Sequence, residues 1–92
     1  MVTENIKKAC QLARSPGGCK YYDEKGPCCV IANLFVLEQD DTIPEENRSV
    51  RFDHPISVKY GWGNLSQLQH FWDSSQKITN EQLLERAEEI WK

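Results

Sequence analysis

Four cysteines, Cys10, Cys19, Cys28 and Cys29, are the residues of this chain best suited to chemistry. Together they could hold a zinc ion, and any one of them beside a histidine could act as a nucleophile. Their spacing speaks against both. Structural zinc sites build on a Cys-x-x-Cys knuckle, because two thiolates must approach one ion at tetrahedral angles from a tight turn. The intervals here are nine, nine and one, and adjacent residues on a helix point about 100° apart. Neither histidine has a sequence context that pairs it with a thiol: His54 precedes a proline, and His70 lies between Gln69 and Phe71 on a predicted helix. The plainer expectation is that the cysteines are small buried apolar residues. A Cys19–Cys28 disulfide would fit the loop between them but not a reducing compartment. There is no phosphate-cradling glycine loop and no His-Glu-x-x-His helix. The sequence therefore predicts no catalytic residue, no metal ligand and no cofactor.

Carboxylates and aromatics come next. Glu38, Asp40, Asp41, Glu45 and Glu46 cluster in polar sequence, where they stay solvated and can face a basic partner surface. Asp23 and Asp73 each sit at a turn beside aromatic residues, the usual place for an aspartate that caps backbone N–H groups. Tyr21, Tyr22, Trp62, Phe71 and Trp72 lie in or beside loops. Such residues either close a small core or supply the large, rigid, half-polar contacts of an interface; Phe35 and Trp91 are assigned to the core. The candidate binding residues are Tyr21, Tyr22, Trp62 and Trp72, with Asp40, Asp41, Glu45 and Glu46 as the acidic component.

Four helices must position these groups, at roughly 4–14, 28–38, 64–73 and 80–91. Thr3 is an N-cap for the first, which carries Ile6, Ala9, Cys10 and Ala13 at helical spacing, and Ser15-Pro16-Gly17-Gly18 ends it. Asp23-Glu24-Lys25-Gly26 is a turn, either a tight loop or a short hairpin. The run from Cys28 to Leu37 is apolar nearly all round, so periodicity cannot separate helix from strand; its length and the central Ala32-Asn33 favour helix. Segment 45–62 is expected to be irregular or to carry a short hairpin, with Ser49–Phe52 and Ile56–Tyr60 as short strands. Gly61-Trp62-Gly63 reads as a turn and Asn64 as an N-cap, after which Leu65, Leu68 and Trp72 share a face. Thr79 with Gln82 three residues on is a capping box, and Leu83, Leu84, Ala87, Ile90 and Trp91 form the last apolar stripe. The expected fold is mainly α: a compact four-helix single domain over residues 1–92, with a small α+β fold as the alternative.

Composition sets the outer bounds. The chain has 92 residues, 39% hydrophobic and 27% charged, with net charge −3, which suits one ordinary domain with a modest core. Charge is uneven: residues 1–35 sum to +2, 36–55 to −4 and 56–92 to −1. That balance argues against binding nucleic acid by phosphate neutralisation, though Lys7, Lys8, Arg14, Lys20 and Lys25 near the two tyrosines keep a weak accessory role as an alternative. It also falls short of the dense negative charge of a DNA mimic. The opening residues lack a signal-peptide pattern and no apolar run reaches membrane-spanning length, so a cytoplasmic protein with no membrane contact is expected.

One stretch, Cys19-x-Tyr-x-Asp23-x-x-Gly26-x-Cys28, followed by an apolar helix, resembles a family of small uncharacterised phage and bacterial domains. Phe71-Trp72-Asp73, then Thr79 and Leu83-Leu84, is similar to the family's second motif. The resemblance covers residues 3–37 and 64–91; this chain has Val30-Ile31-Ala32 where the family tends to have Gly or Ala-Leu. It implies a mainly helical fold and a phage or mobile-element origin, with the Asp23 and Asp73 loops packed together, and it implies no reaction. The expectation from residues and resemblance together is a non-catalytic protein–protein interaction module, a phage-encoded modulator or inhibitor of a host enzyme or defence complex. A cysteine-based metal protein built on Cys19, Cys28 and Cys29 is the alternative.

Overall fold

The computed structural model describes residues 2–14, 16–17, 21–38 and 54–92, with the Tyr22 side chain outside that set. Among them the chain forms five helices and one two-stranded hairpin: α1 (Glu4–Leu12), β1 (Tyr22–Asp23), β2 (Gly26–Pro27), α2 (Val30–Leu37), α3 (Pro55–Tyr60), α4 (Trp62–Asp73) and α5 (Asn80–Ile90). The fold is mainly helical, as expected. All five helices contribute to one buried cluster, in which Trp72 and Phe35 are the largest fully buried side chains.

Helix starts follow local chemistry. Thr3 Oγ1 accepts the Ile6 N–H and opens α1. The capping box at α5 has both arms, with Gln82 N–H donating to Thr79 Oγ1 (3.1 Å) and Thr79 N–H to Gln82 Oε1 (3.0 Å). Cys29 caps α2: its Sγ lies 3.4 Å from the Ile31 nitrogen. Six consecutive residues, Val30 to Phe35, are buried in α2, which is why its sequence showed no amphipathic period. The one polar side chain among them, Asn33, donates to the Cys29 carbonyl at 3.0 Å.

Several expectations need correction. Ile56–Tyr60 is helical rather than a strand, because His54 Nδ1 accepts the Ile56 N–H (3.1 Å) and Pro55 occupies the first helical position. There its fixed φ and missing N–H cost nothing. The described residues thus form five helices, and α4 starts at Trp62, directly after Gly61 turns the chain at φ 89°. Asn64 does not cap α4; its amide donates back to the Tyr60 carbonyl. Ser49–Phe52 and the rest of 39–53 lie outside the described residues.

Long-range polar contacts hold the helices in place. Asn80 Nδ2, at the start of α5, lies 2.8 Å from the carbonyls of both Cys10 and Ala13, closing the C-terminal end of α1. Arg14 grips the hairpin with both guanidinium arms on Asp23, at 2.8 and 2.9 Å, and reaches the Pro27 carbonyl at 2.9 Å. Glu38, just past α2, accepts from Lys59 and from the Tyr60 hydroxyl on α3. The Pro16-Gly17 turn packs on the end of α4, with Gly17 N–H donating to the Trp72 carbonyl at 2.9 Å. This contact comes from the Gly17 turn and not from the Asp23 hairpin, and the two aspartates keep to separate surroundings. No helix among the described residues is long and apolar enough to cross a membrane.

Candidate functional site

The cysteines are built into the fold. Cys10, Cys28 and Cys29 are buried, and none is in a disulfide. Burial pushes the thiols of Cys10 and Cys29 up to about 12, so neither is a thiolate near neutrality. Among the described residues no three His, Cys, Asp or Glu side chains converge as a metal cage. Cys19 lies outside the described residues.

The candidate binding residues separate into three groups. Asp40, Asp41, Glu45 and Glu46, with the Tyr22 side chain, fall outside the described residues. Tyr21 and Trp72 correct the expectation: they are 3% and 2% exposed and belong to the core. Trp72 completes the buried face of α4 begun by Leu65 and Leu68, a spacing already visible in the sequence. Tyr21 is held under the hairpin, its carbonyl accepting from the Cys28 and Cys29 N–H groups and its hydroxyl from Gln69 Nε2 (3.1 Å). Trp62 alone of the eight is described and exposed, at 48%. Val58, four residues earlier across the Gly61 corner, is 75% exposed.

Both turn aspartates have distinct surroundings. The Asp23 carboxyl is held below its ordinary range, first by the Arg14 guanidinium and then by the Lys25 N–H. Asp73 closes α4; burial raises its carboxyl, with His70 one turn back pulling weakly the other way.

A groove runs between α4 and α5, about 840 Å³ in volume. Ser66, Gln67, His70 and Ser74 line it from α4, and Gln82, Glu85, Arg86 and Glu89 from α5. Phe71 and Ile78 form its apolar floor, since both also pack against the core. The helices are antiparallel neighbours: the turn 74–79 joins them at one end, and Trp91 Nε1 donates to the Tyr60 carbonyl at the other (2.9 Å). Trp62 sits one helical turn before Ser66, on the edge of the same α4 face.

No sequence signal singled out this groove, because its lining is ordinary: serines, glutamines and glutamates that any solvated helix would carry. Its one prior trace was Phe71, an aromatic beside a loop. No protein-family model, no curated protein and no solved structure matches the chain.

Proposed function

We propose that this chain is a small protein-binding module without a catalytic step of its own, and that its docking surface is the α4–α5 groove together with Trp62, one helical turn before it on α4. One observation carries the reading: an exposed Trp stands one helical turn before a groove of about 840 Å³ whose floor is Phe71 and Ile78. Large apolar side chains left at the surface beside a concave apolar floor are the usual anchors of a protein interface. The resemblance to phage and bacterial domains directs the search to a bacterial host protein, with this chain as its modulator or inhibitor.

The competing readings are weakened at some of their residues. Nucleic-acid binding drew on Arg14 and Tyr21, and the first is engaged by Asp23 while the second is buried. A metal or thiol centre drew on Cys29, whose sulfur caps a buried helix.

Site-specific photocross-linking tests the reading. A benzoylphenylalanine at position 62 should form a discrete adduct with one protein in bacterial lysate, and the same group at Lys8 on α1 should not. Identical adduct patterns from both positions, or none from position 62, would remove the docking surface.

A further inference from the structure

We infer that a second site, separate from the groove, binds a free α-amino acid with an apolar side chain, at the end of the molecule where α1 begins and α5 ends. Asn80, at the start of α5, holds the last carbonyls of α1. The two helices therefore run antiparallel, and the first turns of α1 lie beside the last turn of α5. A cavity of about 300 Å³ lies there, lined by Val2, Lys7, Glu88, Trp91 and Lys92, at the small end of the range for ligand pockets. Its charges are uncommitted: among the described residues neither of these lysines nor Glu88 enters an ion pair. Trp91, by contrast, is fixed. Its Nε1 donates to the Tyr60 carbonyl at 2.9 Å, and its ring stands nearly perpendicular to that of Tyr60, 6.5 Å away. Trp91 and Val2 both pack against the core, which gives the cavity a preset apolar wall.

Each part of the lining answers a part of the ligand. A carboxylate gains from Lys7 and Lys92, and an ammonium from Glu88. An apolar side chain covers Val2 and the open part of the half-buried Trp91. The backbone dipoles act in the same sense, since α1 presents its positive end here and α5 its negative end. The carboxylate therefore belongs on the α1 side with Lys7, and the ammonium on the α5 side with Glu88. A plain carboxylate would leave Glu88 repelling it, and a plain amine would face two lysines. The volume has room for about ten waters, which suits a single amino acid and not a folded segment of a partner.

The test is an NMR titration of the isotope-labelled protein. L-leucine and L-phenylalanine are the probes; isocaproate, which lacks the amine, and leucine methyl ester, which lacks the carboxylate, are the controls. At least one amino acid should shift the Trp91 indole N–H and the amides of Val2, Lys7 and Glu88 saturably, in the millimolar range or tighter. Both controls should bind about tenfold or more weakly than leucine. Lys7→Gln and Glu88→Gln change exposed side chains, and each, once its melting temperature matches wild type, should weaken binding by about the same factor. No saturable shift with either amino acid would overturn the inference. So would a control that binds as tightly as leucine, or binding that neither variant weakens. Each of those results leaves the docking reading standing, because the cavity shares no residue with the groove.

Discussion

At the Asp23 turn the carboxylate meets a guanidinium and a backbone N–H; at the Asp73 turn, among the described residues, it meets neither a hydrogen-bond donor nor an ion pair. In sequence the two sites are alike, each an aspartate directly after two aromatic residues. Arg14 comes from the end of α1, nine residues from Asp23, and the hairpin brings them together with two-armed geometry. Asp73 ends a helix whose neighbours, Trp72 and the Gly17 turn, offer it burial rather than a charge. The same residue type thus stabilises one turn and burdens the other. The contrast lies in what the rest of the chain delivers to each carboxylate, which local sequence does not encode.

Removing what surrounds Asp73 should have the largest effect. Trp72→Ala opens a cavity in the core and should cost about 3–5 kcal/mol in denaturant unfolding. A cost near 1 kcal/mol would mean that the Asp73 end of α4 is far less packed than its burial indicates. Second is Gly17→Ala. Gly17 has φ 75°, and a Cβ there would stand 2.9 Å from the Gln76 backbone nitrogen. The substitution should cost about 1–3 kcal/mol by the same measurement, because it adds left-handed strain to a backbone clash. An unchanged midpoint would show that the Gly17 turn is not held against the end of α4 by this contact.

The aspartates themselves should respond with opposite sign to pH. Asp23 has its folded pKa lowered, so its contribution is fully present above the ordinary value of 3.8 and is lost as pH falls through the lower, folded value. Asp23→Asn should therefore destabilise the protein at neutral pH and flatten the acid limb of its stability curve. Asp73 has its folded pKa raised from 3.8. Its burden is absent below 3.8, grows as pH rises toward the folded value, and is constant beyond it. Asp73→Asn should accordingly stabilise the protein at neutral pH and leave it unchanged in acid. Unfolding midpoints of both variants from pH 3 to 7 check this, and a common sign would erase the contrast drawn between the turns. Smallest of all, Trp62→Ser should stay within about 0.5 kcal/mol of wild type. A loss as large as that for Trp72→Ala would mean the exposed tryptophan is structural.

Much of the fold was legible in the sequence, for identifiable reasons. Thr3 and the Thr79–Gln82 box announced two helix starts because capping is local, satisfied within three residues of the cap. The burial of Leu65, Leu68 and Trp72 was equally visible in their spacing, and assigning Trp72 to a binding surface set that spacing aside. Missed instead was α3, whose start depends on a histidine acting as the cap and whose Pro55 resembled an interruption. The candidate site was barely legible. Trp62 was singled out, but the groove beside it is made of common polar residues that acquire meaning only from the pairing of α4 with α5.

The sequence by itself determined the mainly helical class, the turn at Asp23–Gly26 and the close of α1 before Pro16. These follow from propensity, capping and spacing, forces that act over a few residues. Only the tertiary structure decided that Tyr21 is buried, that Asp23 and Asp73 differ, that Asn80 closes α1, and that α4 and α5 frame a groove. Each of these depends on groups far apart in the chain being brought within hydrogen-bond or Coulomb range, and that proximity is a product of packing.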